Sequence, residues 1–540
     1  MFRPLYRRTL AGAAALSLLA GPTIASAIEA TAVDAPSAAT PSDAKTTIEV
    51  TAGARAGAER SSAFAADNNG AQAPSDAEIG SRVTLSLRAD THASMRGARL
   101  EAVATVDSAG VWSGTPTLAG DRRPGDVSAP AMLTEAWASL SIGGDSDTNH
   151  LVGVRAGLQR SHWGLGLLAN DGRSYLGSDA TSWFQYSWIG DRVLRGQFWA
   201  RPWAQSNSPL RGLLLTAAVD RVASDDVLAP LQNPGFLAFH DTDVAWQGIF
   251  AARMMLSKRD SVGIYYVYRD QQQSGGGGIA VHAVDAAFDI GVIERDGMTL
   301  RLSGEAVGLF GTTTLAPTPE FPEHDVAQSA AVVRAHLTLG KLQGLLDIGW
   351  FSGDASTDDS SINNFKADPN FQQGILLFRR IVGWQTARMR GTASDPDVVG
   401  YPNQDLDRLA SGGAVTSALT FFPRVGGNLG PVEVYGGVLI ALSPQPIQDP
   451  YWTRTKGGGA ARNVYAAEPD GMLLGTELDG GVRARFVLPG KMLLLAGVEY
   501  GVALPGGALA GMDTASGGSA TVHGGRVVLT LTGAPNQGGK

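Results

Sequence analysis

The 540-residue chain has no cysteine. That excludes disulfides, a lipidated cysteine anchor, thiolate metal sites and cysteine catalysis. It suits an exported protein that stays unfolded and uncrosslinked in transit. Long apolar runs are missing too. Outside the N-terminus no stretch of about 18 apolar residues occurs, so no spanning helix is expected. Mean hydropathy is -0.01, far too polar for a helical membrane bundle. Nor is there a surplus of positive charge. The net charge is -8, without the clustered Lys and Arg that nucleic-acid binding requires, so no nucleic-acid partner is expected.

What the chain does have is alternation. In Arg82-Val83-Thr84-Leu85-Ser86-Leu87-Arg88 the apolar residues Val83, Leu85 and Leu87 share one face of an extended strand. Near the C-terminus Val482, Ala484, Phe486 and Leu488 alternate with Arg483 and Arg485. A period of two is the signature of a strand with two unlike faces. A set of soluble sandwiches would hide the apolar row in a core. A closed membrane barrel turns that row to lipid and the charged row to a wet lumen. The 69 glycines suit turns and crowded strand crossings.

The expectation is an all-β fold: a single transmembrane antiparallel barrel of about 18 strands, with short periplasmic turns and long outer loops. Residues 1–27 read as a signal peptide. Arg3, Arg7 and Arg8 precede the apolar run Leu10 to Leu19, and Ala25-Ser26-Ala27 is a cleavage site. Residues 28–45 form a flexible leader rich in Ala, Pro, Ser and Thr. The barrel occupies 46–532, and a polar tail follows at 533–540. Short turns are expected at Ser257 to Asp260, Glu294 to Gly297, Gly340 to Leu342, Pro423 to Pro431 and Leu488 to Lys491. Long loops alternate with them, provided that Thr181 to Gly190 belongs to an outer loop or extends a neighbouring strand. Aromatics near strand ends read as interfacial girdles: Trp137, Trp199, Trp203, Tyr265, Tyr266, Tyr268, Trp350, Phe421, Phe422 and Tyr500.

The polar rows give the lumen-lining candidates. The cations are Arg82, Arg88, Arg99, Arg155, Arg195, Arg201, Arg253, Arg301, Arg334, Arg483 and Arg485. The acids are Glu101, Glu135, Asp285, Asp289, Glu305, Asp347, Glu433, Glu477, Asp479 and Glu499. Such rows either select solutes or pair internally to satisfy a polar interior. The near balance of signs favours mixed networks.

The longest connection, Ala355 to Gly412, supplies the constriction candidates Asp368, Phe371, Ile375, Phe378, Arg379, Arg380 and Trp384. A loop of this length is functional or disordered, and its apolar residues argue against disorder. Folded inward, it would lay its apolar face on the wall and turn Arg379 and Arg380 to the water path. The other reading is an outer cap. Asp354, Asp358 and Asp359 are a weak calcium candidate, lacking the terminal bidentate Glu of a calcium loop. No other metal site and no cofactor are expected. Neither a Gly-x-Ser-x-Gly elbow nor a His-Glu-x-x-His pair occurs. His240-Asp241 and His324-Asp325 are adjacent residues whose side chains point apart on an extended chain. No catalytic residue is assigned.

Two stretches carry a resemblance. One is Ser161-His162-Trp163-Gly164-Leu165-Gly166-Leu167-Leu168-Ala169-Asn170-Asp171-Gly172 with Gly190-Asp191-Arg192-Val193. The other is Phe365-Lys366-Ala367-Asp368-Pro369-Asn370-Phe371 leading into Gly374 to Phe378. They resemble signatures of an uncharacterised outer-membrane barrel family of myxobacteria and related bacteria, over roughly residues 130 to 440. More distantly, the barrel size resembles alginate-export and other polysaccharide-secretion porins. The resemblance implies architecture and no site residues. The expected function is an outer-membrane channel that passes or exports a hydrophilic solute, an exopolysaccharide in the sharper version. The alternatives are a barrel-borne enzyme acting at the outer loops and a sealed structural or adhesive barrel. Expected partners are outer-membrane lipid, the barrel-insertion machinery and the solute.

Overall fold

In the computed structural model of the chain the described residues are 45–65, 72–93, 97–113, 128–143, 150–173, 179–188, 190–225, 227–228, 243–274, 276–315, 321–356, 359–387, 411–448, 470–489, 492–509 and 521–533. Residues 1–44, where the signal peptide and most of the leader are expected, and residues 534–540 of the expected tail lie outside them.

Eighteen strands form the wall. They are β1 (Lys45–Ser61), β2 (Asp76–Ala93), β3 (Ala98–Ser113), β4 (Ser128–Ile142), β5 (Val152–Arg160), β6 (Arg192–Ala200), β7 (Leu213–Ser224), β8 (Val244–Met255) and β9 (Ser261–Gln272). The second half comprises β10 (Gly278–Arg295), β11 (Met298–Thr313), β12 (His324–Leu339), β13 (Leu342–Phe351), β14 (Ala418–Leu429), β15 (Val432–Leu442), β16 (Leu473–Leu488), β17 (Met492–Pro505) and β18 (Val522–Gly533). Each strand pairs antiparallel with its chain neighbours. The sheet closes because β1 pairs with both β2 (Ala54 opposite Val83) and β18 (Ala54 opposite Leu531). Closure removes the unpaired edges that an open sheet would present to lipid. A two-residue piece, Ser361–Ile362, adds parallel to β12.

The period of two sorts the side chains as the physics of a membrane requires. Val83, Leu85, Leu87, Val482 and Phe486 are exposed on the outer surface, while Arg82 and Arg483 are buried inside. An apolar outside, a charged inside, short turns at one end and long connections at the other make this the architecture of an outer-membrane barrel.

Three expectations need correction or completion. The expected turn from Pro423 to Pro431 is too long, because β14 continues to Leu429 and the turn is Gly430-Pro431. Pro423 sits inside the strand where the ladder to β15 lapses. Pairing resumes only at Arg424 opposite Gly437 after Phe421 opposite Ile440. A proline has no N–H to give to that ladder, so a gap is where it fits. Thr181 to Gly190 adds no strand to the wall and lies in the β5–β6 connection, so the alternation of turns and loops holds. The girdle reading mixed two faces. Tyr268, Trp350, Phe421 and Tyr500 are exposed on the outside, whereas Tyr265 and Phe422 are buried within the barrel and Trp199 lines an internal cavity.

Candidate functional site

Among the described residues, parts of two connections fold from the loop end into the lumen: 161–173, 179–188 and 190–191 between β5 and β6, and 352–356, 359–387 and 411–417 between β13 and β14. Their apolar residues drive this. Phe371, Ile375, Leu376, Phe378 and Trp384 from the second loop and Trp183 and Phe184 from the first are buried in one cluster with Phe422, Tyr435 and Leu439 of the wall. Left in water they would form an adhesive patch. Moving them inside creates a second demand, since their backbone amides leave solvent and need acceptors.

The wall supplies those acceptors as carboxylates. Glu477 of β16 accepts from the N–H groups of Ile375 (2.5 Å), Leu376 (2.8 Å) and Leu377 (2.6 Å). The preceding Gly374 is left-handed (φ +73°), and a Cβ there would stand 2.7 Å from Glu477 Oε2. The chain then winds into one wide turn, Leu377–Val382, with Ile381 N–H reaching back to Leu376. The first loop repeats the device. Glu305 of β11 accepts from the N–H groups of Leu165 and of Leu167 (3.1 Å). The preceding Gly164 is left-handed (φ +56°), and a Cβ there would lie 2.5 Å from Glu305 Oε2.

Aromatic donors complete the attachment. Trp163 Nε1 donates to Asp285 (3.1 Å), and its ring stacks on Tyr265 at 5.0 Å. Trp183 Nε1 donates to Glu433 (3.0 Å), and its ring lies parallel to that of Tyr435 at 5.1 Å. Glu499 accepts from Phe184 N–H (3.0 Å) and the Tyr435 hydroxyl (2.7 Å). The two loops also grip each other. Asp368 N–H donates to Leu167 O (2.7 Å), Tyr186 N–H to Gln372 Oε1 (2.8 Å) and Gln372 Nε2 to Tyr186 O (2.6 Å). The Asp368 carboxylate accepts from Asn370 N–H (2.7 Å), which holds the turn leading to Phe371.

The arginine candidates fall into two groups. Most are joined to acids. Arg82 pairs with Asp107 (2.6 Å), Arg99 with Asp90 (2.5 Å), Arg195 with Asp220 (2.7 Å), Arg301 with Asp289 (2.9 Å), and both Arg334 (2.7 Å) and Arg424 (2.5 Å) with Asp347. Arg483 pairs with Glu433, which Arg485 also approaches (3.6 Å). Arg253 donates to Ser261 Oγ (3.0 Å). Others face space. Arg88 pairs with Glu101 (2.6 Å) yet keeps 47% of its side chain exposed. Arg155 lies over the Trp137 ring (4.0 Å) and near that of Trp199 (5.9 Å), and it lines a cavity of about 200 Å³ with Arg201.

Arg379 and Arg380 do not turn to the water path. They are 8% and 3% exposed, with Arg379 on Glu59 (3.3 Å) and Arg380 on Asp76 (2.8 Å) and Ser61 Oγ (2.9 Å). The apolar loop sits so close to the wall that its cations reach the wall's acids first. Asp354 and Asp359 cap local turns, accepting from Asn363 N–H (2.7 Å) and Ser361 N–H (2.8 Å). Asp358 lies outside the described residues, and among these no group of three potential metal ligands gathers. His240-Asp241 is likewise outside them. His324 is buried within the barrel while Asp325 is exposed, so the two do not meet.

No family model matches the sequence, and no curated protein matches it. Solved outer-membrane channels are similar in fold. Pseudomonas aeruginosa OccK2 (OpdF) is 10% identical, covers 90% of this chain and 97% of its own, and gives a TM-score of 0.47. Pseudomonas aeruginosa OpdL is 9% identical with coverage of 90% and 98% and a TM-score of 0.46. Acinetobacter baumannii OccAB4 gives the same figures: 9%, 90%, 98% and 0.46. None of these three is a myxobacterial or alginate-export protein.

Sequence reasoning found one of the two inward loops. The first was missed because Gly164-Leu165-Gly166-Leu167-Leu168 is short, and its few apolar residues do not by themselves demand burial. The usable signal was its likeness to Gly374-Ile375-Leu376-Leu377, a glycine followed by large apolar residues in a connection. The role of Glu305, Glu477 and Glu499 as loop anchors was also hidden, since an inward acid looks the same whether it faces water or an amide.

Proposed function

We propose that the protein is a channel of the bacterial outer membrane that passes a small hydrophilic solute, with the two inward loops as its constriction. One observation carries this reading. The loops are fixed within the lumen by wall carboxylates, and internal space remains to either side of them. Toward the loop end lies a cavity of about 530 Å³. Toward the turn end lies one of about 600 Å³, where Arg55, Arg82, Arg88, Arg160 and Arg173 face Glu49, Glu101 and Glu135. A polar interior of this kind keeps a solute hydrated through an apolar membrane. A polymer needs a lumen open along its length, so the crossed lumen supports a small solute over an exopolysaccharide. Lipid covers the apolar belt, and the barrel-insertion machinery delivers the chain to the membrane.

The test is electrical. The purified protein in planar bilayers should show discrete conductance steps, and liposomes carrying it should swell in small sugars. Protein that is folded, as judged by heat-modifiable gel migration, yet shows neither would be a sealed structural barrel.

A further inference from the structure

The lumen is not polar all round. One level of the wall carries an in-register apolar row across five neighbouring strands: Ala218 (β7), Ile249 (β8), Val267 (β9), Ala283 (β10) and Leu309 (β11). The row ends on Gln328 of β12, which stands opposite Leu309. These side chains point inward, since Phe250, Tyr268, Val284 and Phe310 on alternate positions of the same strands are exposed outside. Lipid therefore cannot explain them. Loop and wall packing cover most of the row, leaving Val267 and Ala283 7% and 6% exposed. Trp163 and Leu168 of the first loop touch it, but Val267, Ala283 and Leu309 also line the cavity of about 530 Å³, together with Val222, Ile279 and Val281.

The rim of the same cavity is amide, hydroxyl and charge. Gln247, Gln273, Gln328, Asn364 and Thr416 border it. Its charges are engaged within the protein: Arg269 and Asp225 are closed on each other at 2.5 Å, Asp191, Asp243 and Asp368 accept from the N–H groups of Asn170, Ser274 and Asn370, and Lys366 is also partnered. An apolar floor with a few convergent polar groups, at a volume of several hundred Å³, is the make-up of a small-molecule site. Such surface holds water poorly and gives a fully hydrated ion nothing to bind.

We propose that this cavity binds a solute with an apolar body, of the size of one or two rings, joined to an uncharged hydrogen-bonding part. The ring lies on the Val267–Ala283–Leu309 floor, and the polar part meets the glutamine and asparagine rim. This rests on the channel reading above and names the class of solute that the channel takes.

The probes are phenyl β-glucoside and methyl β-glucoside, which share the sugar and differ in the apolar group. Binding is measured by calorimetry on the full-length protein in lipid nanodiscs, with empty nanodiscs subtracted. Phenyl β-glucoside should bind at least about tenfold more tightly, as expected when a ring leaves water for an apolar floor. Val281→Asn should lower that preference severalfold, and Arg88→Gln in the other cavity should leave it intact. Equal binding of the two glucosides by the wild-type protein would overturn the proposal, as would full preference in a folded Val281→Asn protein. If Val281→Asn does not fold, the wild-type comparison alone decides. The preference appearing in a protein that carries no current would uphold the site and remove the channel reading. Current without preference would do the reverse.

Discussion

Three backbone amides converge on Glu477, and both of its oxygens are occupied. Hydrogen bonds to a charged acceptor are worth about 1.5–3 kcal/mol each in a buried setting. Glu477→Gln should therefore destabilise the protein by about 2 kcal/mol, measured by tryptophan fluorescence during urea unfolding from lipid vesicles, and should make single-channel currents noisier. Gly374→Ala acts from the other side of the same contact, since its Cβ would press on the carboxylate; it should produce the same noise. Quiet currents in both variants would show that the loop is held by its apolar packing alone.

The arginines divide by the same criterion. Arg334→Gln leaves Asp347 with one cation instead of two and should cost about 1.5–3 kcal/mol of stability. Arg88→Gln combined with Arg155→Gln removes positive charge that faces open space. It should move the reversal potential toward cation preference with little loss of stability. An unchanged reversal potential in the double variant would place the ion path elsewhere.

Strands and loops differ in how independent they are. β13 and β14 pair directly, with Leu342 opposite Gly427 and Phe351 opposite Ala418, so the wall is continuous beneath the connection that joins them. Deleting residues 360 to 408 should leave a closed barrel with higher conductance, and also a less stable one, because Ile375, Leu376, Phe378 and Trp384 leave the buried cluster. A stable deletion variant with parental conductance would mean that the loop does not constrict the path. This contrast also explains what was readable in the sequence. The strand count and most strand positions were legible because a membrane wall forces strict alternation, and each strand repeats the signal; β14 was the exception, since Pro423 inside it read as a turn. The loops had to be inferred from composition. Ile375, Phe378 and Trp384 showed that one of them must be buried, but nothing local shows which wall acid meets which amide.

The barrel as a body depends on its outward face. Leu85 is 55% exposed there, flanked by Val83 and Leu87. Leu85→Arg should impair membrane insertion by about 2–4 kcal/mol if the position lies near the midplane, read as the fraction of folded, heat-modifiable protein in lipid vesicles. Assembly at the wild-type level would reverse the assignment of the two faces. The inward row from Ala218 to Leu309 sets a limit on the same rule. Alternation tells which residues share a face, and the face as a whole was expected to be polar. A local apolar patch on the lumenal side breaks no period, so only the paired registers bring it together.

The attachment of the first loop has a consequence for the order of events during synthesis. Leu165 waits for Glu305, 140 residues later, Trp183 for Glu433, 250 later, and Phe184 for Glu499, 315 later. Contacts between such distant parts of a chain form slowly. The last of them needs β17, the penultimate strand. The narrow part of the lumen is therefore completed only when the cylinder itself is nearly closed. In a refolding time course, strand formation should precede the burial of Trp183. The loop thus reaches its final place in the same late step that closes the wall.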